Sequence, residues 1–169
     1  MDKLTKNLGN VVLRDHRADD FERLWQLDQL CFEPGIAYDK RSLRWFLREE
    51  NSFTIVAEKP VGEILGFILV HELLAGKVRK QTAANIITID VHPAARRSGL
   101  GSTLLKSAEE RVVKRGWHTV TLEVSVENHS AIAFYKLHGY TITGRIEKYY
   151  NDKLDALQME KSLSVRQRL

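Results

Sequence analysis

The sequence predicts an α/β (α+β) fold, a mixed sheet with helices on both faces. Three observations predict it. The nearly unbroken apolar run Ile86-Ile87-Thr88-Ile89-Asp90-Val91 reads as a strand covered on both sides. A helical pattern follows it and leads to the strand Val120 to Val126, which makes a βαβ crossover. Paired strand patterns joined by turn residues stand on either side of that crossover. At 169 residues the chain is read as one domain, 1-169, with a core from about 10 to 163 and a short basic C-terminal tail.

The elements follow in order. Val11-Val12-Leu13 reads as a first strand. Asp19 or Asp20 is placed to cap a helix whose apolar residues, Phe21, Leu24, Trp25, Leu27 and Leu30, recur at helical spacing. Pro34-Gly35 interrupts it. Ser42 to Glu49 reads as a second helix with Leu43, Phe46 and Leu47 inward. Phe53 to Glu58 and Ile64 to Leu73 form a hairpin around Lys59-Pro60-Val61-Gly62. Lys77 to Gln81 is a polar loop. A helix from Leu100 to Arg115 buries Leu104, Leu105, Ala108 and Val112 and stops at Gly116. Along the next strand Val120, Leu122, Val124 and Val126 share one face, and Thr121, Glu123 and Ser125 the other. Asn128 to His138 is a short helix ended by Gly139. Tyr140 to Ile146 and Leu157 to Leu163 close the fold as a strand pair.

Composition narrows the function. Hydrophobic residues make up 43% and charged residues 28%, the profile of a globular chain. No apolar run approaches the ~20 residues of a membrane span, and Met1-Asp2-Lys3-Leu4-Thr5-Lys6 lacks the apolar stretch of a signal peptide. These features read as a cytoplasmic protein without a membrane partner. The single cysteine, Cys31, allows no internal disulfide and reads as a small buried hydrophobe. The net charge is +4, but the basic residues are scattered among acids, as in Glu109-Glu110-Arg111, which argues against nucleic acid as the main ligand. A mildly basic surface also suits a phosphorylated ligand. Histidine, cysteine and carboxylate spacings suggest no metal.

The first chemical signal is Val91-His92-Pro93-Ala94-Ala95-Arg96-Arg97-Ser98-Gly99-Leu100-Gly101-Ser102, between a buried strand and a helix start. Two glycines let a backbone approach a ligand closely. The first N–H groups of a helix lack internal partners and, with the helix dipole, favour an anion such as phosphate. Arg96 and Arg97 add charge. A P-loop would need Gly-Lys-Ser/Thr, and a dinucleotide fingerprint a third glycine where Leu104 stands, so both fail. A tight turn with glycines for geometry alone stays open.

Arg96-Arg97-Ser98-Gly99-Leu100-Gly101 resembles the Gln/Arg-x-x-Gly-x-Gly/Ala signature of the GNAT superfamily of N-acetyltransferases. Leu122-Glu123-Val124, Asn128, Ala133-Phe134-Tyr135 and His138-Gly139-Tyr140 are similar to its C-terminal pattern. Within the superfamily, Leu122-Glu123-Val124, Tyr149-Tyr150 and Asp155-Ala156-Leu157-Gln158-Met159 look most like the ribosomal-protein-alanine and protein N-terminal acetyltransferases. Two positions depart: Ser98 replaces a frequent basic residue, and Ser125 replaces the arginine usual in the ribosomal-alanine group.

The resemblance implies a mostly antiparallel sheet of about seven strands with a splayed parallel pair in the middle, and transfer of acetyl from acetyl-CoA to a primary amine. The cofactor arm would pair with backbone near Ile89 and Val91. The N–H groups of Arg97, Gly99, Gly101 and Ser102 would cradle the pyrophosphate, beside Arg96 and Ser98. Asn128 would bind the arm, although an asparagine there also suits a helix N-cap. Glu123 is the candidate general base, and Tyr135 the candidate general acid and a cofactor contact. Phe32, Tyr38, Glu123, Tyr149 and Tyr150 would wall the acceptor site, with Tyr149 and Tyr150 in a loop. The acceptor would be a protein or peptide N-terminus, whose α-amine has a pKa near ~8 against ~10.4 for lysine and so needs less help in losing its proton. A lysine or polyamine acceptor, a non-catalytic acyl-CoA-binding module and a basic nucleic-acid-binding protein remain alternatives.

Overall fold

The computed structural model describes residues 10–74 and 83–163. The expected polar loop at Lys77 to Gln81, the N-terminal hexapeptide and the basic tail lie outside the described residues. Those residues form seven strands and four α-helices: β1 (Val12–Asp15), α1 (Phe21–Cys31), α2 (Lys40–Arg48), β2 (Ser52–Glu58), β3 (Ile64–Leu73), β4 (Ala83–Val91), α3 (Leu100–Lys114), β5 (Thr119–Ser125), α4 (His129–Leu137), β6 (Thr141–Tyr150) and β7 (Leu154–Ser162). One-turn 3-10 segments occupy Ala18–Asp20 and Pro93–Ala95. The sheet runs in the order β1-β2-β3-β4-β5-β7-β6. The pairs β1–β2, β2–β3, β5–β7 and β6–β7 are antiparallel. β4 and β5 are parallel, with the ladder covering Ala84–Ile86 against Val120–Leu122.

The described residues pack as two compact units, 10–71 with 88–108, and 72–74 and 83–87 with 109–163. In the first, β2 and β3 bury Ile55, Val56, Phe67, Ile68, Leu69 and Val70 almost completely. Strands covered on both faces need such runs rather than alternation. Leu24 and Leu27 of α1 and Leu43 of α2 join that core, whereas Phe46 and Leu47 are half-exposed. α2 starts at Asp39, whose carboxylate accepts the Ser42 N–H at 2.9 Å, an N-cap. Asp20 does not cap α1 forward as expected. Its carboxylate turns back to the Arg17 N–H at 2.7 Å and takes both terminal nitrogens of Arg14 at 2.7 and 2.9 Å. Two arginine contacts and a backbone donor satisfy a buried carboxylate better than a cap would.

In the second unit β5 alternates as expected, with Val120, Leu122 and Val124 buried, while Val126 falls beyond the strand. β7 pairs with β5 from Thr119↔Ser162 to Ser125↔Ala156. Gly116, at φ 83°, ends α3, and Gly139, at φ 88°, follows α4. Both take the left-handed backbone that favours glycine. Tyr140 is buried, and its hydroxyl donates to Glu109 Oε1 at 3.0 Å. The closing hairpin extends further than the sequence predicts. β6 continues through Tyr149 and Tyr150, with a bulge between Ile146 and Tyr150 and a left-handed Lys148 at φ 52°.

Candidate active site

β4 ends at Val91, and His92 caps the following 3-10 turn by accepting the Ala94 N–H at 3.2 Å. The chain then reverses through two left-handed residues, Arg97 at φ 59° and Gly99 at φ 86°. Alternating backbone handedness of this kind turns successive N–H groups toward one point and makes an anion-binding nest. Arg97 is the informative member, because a side-chain-bearing residue is strained there and is tolerated where the surroundings impose it. Ser98 braces the turn: its hydroxyl donates to the Ala95 carbonyl at 2.5 Å and accepts the Leu100 N–H at 3.4 Å. That explains a serine where a basic residue is frequent.

At the start of α3 the Thr103 N–H closes onto the Gly99 carbonyl at 3.0 Å. The N–H groups of Gly99 and Gly101 stand ahead of that rung, at the positive end of a 15-residue helix. Leu100 and Leu104 are buried and anchor the helix start. Gly66 in β3 permits the close approach, since a Cβ there would meet the Asp90 carbonyl at 2.6 Å and Leu104 at 3.2 Å. Arg96 and Arg97 are exposed, while Ser98, Gly99, Gly101 and Ser102 are half-exposed. This donor set of outward N–H groups and guanidinium charge fits a pyrophosphate. The Ile89 and Val91 side chains are half-buried. The Val91 carbonyl already accepts from Arg96 Nε at 3.2 Å and from the Cys31 thiol at 3.4 Å. Burial pushes that thiol up to about 11, so Cys31 is a neutral donor.

Phe32 and Tyr38 bracket the segment between α1 and α2, and both are half-buried. Tyr38 is fixed by its backbone: its N–H donates to Asp28 Oδ2 at 2.7 Å, and its carbonyl accepts from Trp25 Nε1 at 3.1 Å and Gln29 Nε2 at 2.8 Å. Its ring meets Phe46 edge-on at 5.9 Å.

In the second unit Glu123 lies half-buried in β5, and one carboxylate oxygen, Oε2, accepts from Asn85 Nδ2 at 3.2 Å. Thr121 donates its hydroxyl to Asn85 Oδ1 at 2.8 Å, which fixes the amide so that its NH₂ faces Glu123. Sequence reasoning missed Asn85, because the apolar run was read as starting at Ile86 whereas β4 begins at Ala83. Parallel pairing of Asn85 with Thr121 is what brings the three side chains together.

Tyr149 and Tyr150 stack edge-on at 4.9 Å, at the end of β6 rather than in a loop. The Tyr150 hydroxyl donates to the Glu123 carbonyl at 3.5 Å. Burial and then the Glu123 charge raise the Tyr149 phenol above its ordinary range; burial leads in raising Tyr150 as well, so both are neutral donors. Asn128 caps α4, its side-chain oxygen accepting the Ala131 N–H at 3.1 Å, which leaves its NH₂ as the group able to reach a ligand. Tyr135 is buried on α4, edge-on to Phe134 at 5.3 Å and Tyr140 at 5.5 Å. Ser125 is buried and accepts the Glu127 N–H at 3.2 Å, a turn role open to a short hydroxyl. No group of three or more histidine, cysteine or carboxylate side chains suited to a metal occurs among the described residues. Among those residues no helix is long and apolar enough to cross a membrane.

Comparison with known proteins gives first the class, an acyltransferase, and then the family. The acetyltransferase (GNAT) family matches residues 19–140, and the chain belongs to it. A Methanocaldococcus jannaschii protein named as an uncharacterized N-acetyltransferase is 34% identical over 143 residues, 80% of this chain and 61% of its own length. The chain thus spans less than two-thirds of that relative. An N-alpha-acetyltransferase of Saccharolobus solfataricus is 28% identical over 178 residues, covering 96% of this chain and 100% of its own. Among solved structures, Chaetomium thermophilum Naa20 in complex with a bisubstrate analogue matches with a TM-score of 0.78 at 26% identity, over 90% of this chain and 86% of that one.

Proposed function

We propose that this chain works as a single acetyltransferase domain that moves an acetyl group from acetyl-CoA to the N-terminal α-amine of a protein, by direct attack with both substrates bound. The observation that carries the reading is the Thr121–Asn85–Glu123 chain, which holds one oxygen of a carboxylate and leaves the other, Oε1, without a protein donor among the described residues. A general base needs such an oxygen. The full-length likeness to an N-alpha-acetyltransferase supports the α-amine as acceptor.

Acetyl-CoA supplies an activated thioester. The turn residues Arg96, Arg97, Ser98, Gly99, Gly101 and Ser102 would bind its phosphates. Ile89 and Val91 would pair with its arm through their backbones, and Asn128 through its side-chain NH₂. Phe32, Tyr38, Tyr149 and Tyr150 would wall the acceptor, and neutral phenols suit an uncharged amine. As the amine nitrogen bonds to the acetyl carbon and the carbon–sulfur bond breaks, Glu123 takes the amine proton, directly or through water. Tyr135 gives its phenolic proton to the departing thiolate. An acetamide and a free thiol result, and proton return between the two side chains through solvent resets the site.

The test is incubation with acetyl-CoA and a pool of peptides that carry free N-termini and internal lysines, followed by mass spectrometry. Acetyl on α-amines, graded by first residue, is the expected result. Acetyl confined to lysine side chains would overturn the acceptor assignment.

A further inference from the structure

The far end of β6 is built around a residue in an unfavourable conformation. β6 and β7 pair as Ile146↔Ala156 and again as Tyr150↔Leu154, so residues 147–149 of β6 stand against Asp155 alone. A bulge of this kind bends its strand and re-aims the side chains beyond it. Lys148, at its centre, has φ 52°. Asn151 and Asp152, at φ 51° and 54°, share that left-handed backbone, but they lie in the hairpin turn that the Lys153 N–H closes onto the Tyr150 carbonyl at 3.1 Å. Asparagine and aspartate enter that conformation readily, through their short polar side chains. A lysine does not, and it stays there only where its surroundings impose it.

Asp155 supplies that constraint. Its Oδ1 accepts the Lys148 N–H at 2.8 Å, across the bulge. Its Oδ2 is held by Arg145, through Nε at 2.7 Å and Nη2 at 2.6 Å. Its carbonyl accepts the Val126 N–H at 3.1 Å, which ties the same residue to the chain leaving β5. One residue thus joins the bulge to the strand that carries Glu123. Just beyond Lys148, Tyr149 and Tyr150 meet edge-on at 4.9 Å, and the Tyr150 hydroxyl donates to the Glu123 carbonyl at 3.5 Å.

We propose that Asp155 is a positioning residue: its bond to the Lys148 N–H holds the bulge, and the bulge sets Tyr149 and Tyr150 beside Glu123 as the wall that aligns the acceptor amine. The acceptor half rests on the functional reading given above. The Lys148 N–H first and Arg145 second hold the Asp155 carboxyl below the usual carboxylate range, so it is ionised at neutral pH. An ionised oxygen is a strong acceptor for a backbone N–H. Arg145 steadies the carboxylate from an exposed position, where an ion pair contributes little. The bond to Lys148 is therefore the one on which the bulge depends.

The full chain is compared with Asp155→Ala, with Asp155→Ala combined with Lys148→Gly, and with Arg145→Ala. The measurements are amide hydrogen exchange at position 148, KM for an α-amine peptide, and affinity for acetyl-CoA by calorimetry. Asp155→Ala is expected to speed the exchange and raise the peptide KM, each about tenfold, with acetyl-CoA affinity unchanged. Adding Lys148→Gly restores most of the peptide KM, because glycine holds a positive φ without help. General destabilisation gives no such recovery, since the second change adds no contact. Lys148 is exposed, so the double variant carries the test even where Asp155→Ala alone does not fold. Arg145→Ala stays within about twofold of the unaltered chain in all three measurements. Unchanged exchange in Asp155→Ala overturns the clamp. A peptide KM still raised in the double variant overturns the bulge as its means of action. Arg145→Ala raising that KM as far as Asp155→Ala gives the effect to the ion pair and overturns the role of the Lys148 bond. Faster exchange with an unmoved peptide KM overturns the acceptor half. No transfer to the peptide by the unaltered chain overturns the functional reading and the acceptor half with it, and exchange at position 148 then decides the clamp alone.

Discussion

The turn after β4 presents backbone N–H groups and holds them with left-handed residues at 97 and 99, whereas β5 presents a side-chain carboxylate and holds it with Asn85 and Thr121. The two regions therefore fail differently. A nest depends on φ angles and tolerates many side chains that do not disturb them. A hydrogen-bonded carboxylate depends on its own atoms and tolerates backbone adjustment. Substitutions in the turn are expected to change donor binding, and those around Glu123 to change turnover.

Glu123→Gln tests this division most severely. It keeps the shape and removes the base, so turnover is expected to fall ~10²- to 10⁴-fold with acetyl-CoA affinity, measured by calorimetry, unaltered. A loss of affinity to match would erase the distinction. Tyr135→Phe comes next, with turnover lower by on the order of tenfold to a hundredfold in rapid-quench experiments and cofactor binding retained. Unchanged turnover would remove Tyr135 from the proton path. Gly99→Ala then probes the other region. A left-handed alanine costs roughly 1–2 kcal/mol, and the acetyl-CoA KM is expected to rise about tenfold while kcat stays near its original value. Asn85→Ala should give the smallest effect, a turnover loss of a few-fold, as one hydrogen bond of about 1 kcal/mol implies. If that variant instead weakened donor binding, Asn85 would belong with the turn.

Backbone-built features were the more legible in the sequence. Ile64–Leu73 emerges with the bounds its apolar run suggests, and α3 ends within one residue of expectation, because apolar period and a terminal glycine report on the chain directly. The glycine turn was legible for the same reason, although a left-handed Arg97 was not, since nothing in an arginine announces positive φ. Side-chain partnerships were harder. Asn85 meets Glu123 across 38 positions of sequence, and only the parallel register unites them. Tyr149 and Tyr150 read as loop residues in the sequence, because the left-handed Lys148 and the bulge that carry β6 on to them leave no mark in residue type.

The occupied carbonyl of Val91 sets a condition on ligand entry. An incoming arm that pairs with the end of β4 must displace the Arg96 guanidinium, the Cys31 thiol, or both. Association there is an exchange of contacts rather than an addition, so the arm gains little net affinity from that carbonyl. The displaced guanidinium, five residues along the chain and exposed, would then be available to the phosphates of the proposed cofactor. In the proposed binding mode, arrival of the arm and capture of the anion would be one coupled event, with Arg96 changing allegiance between them.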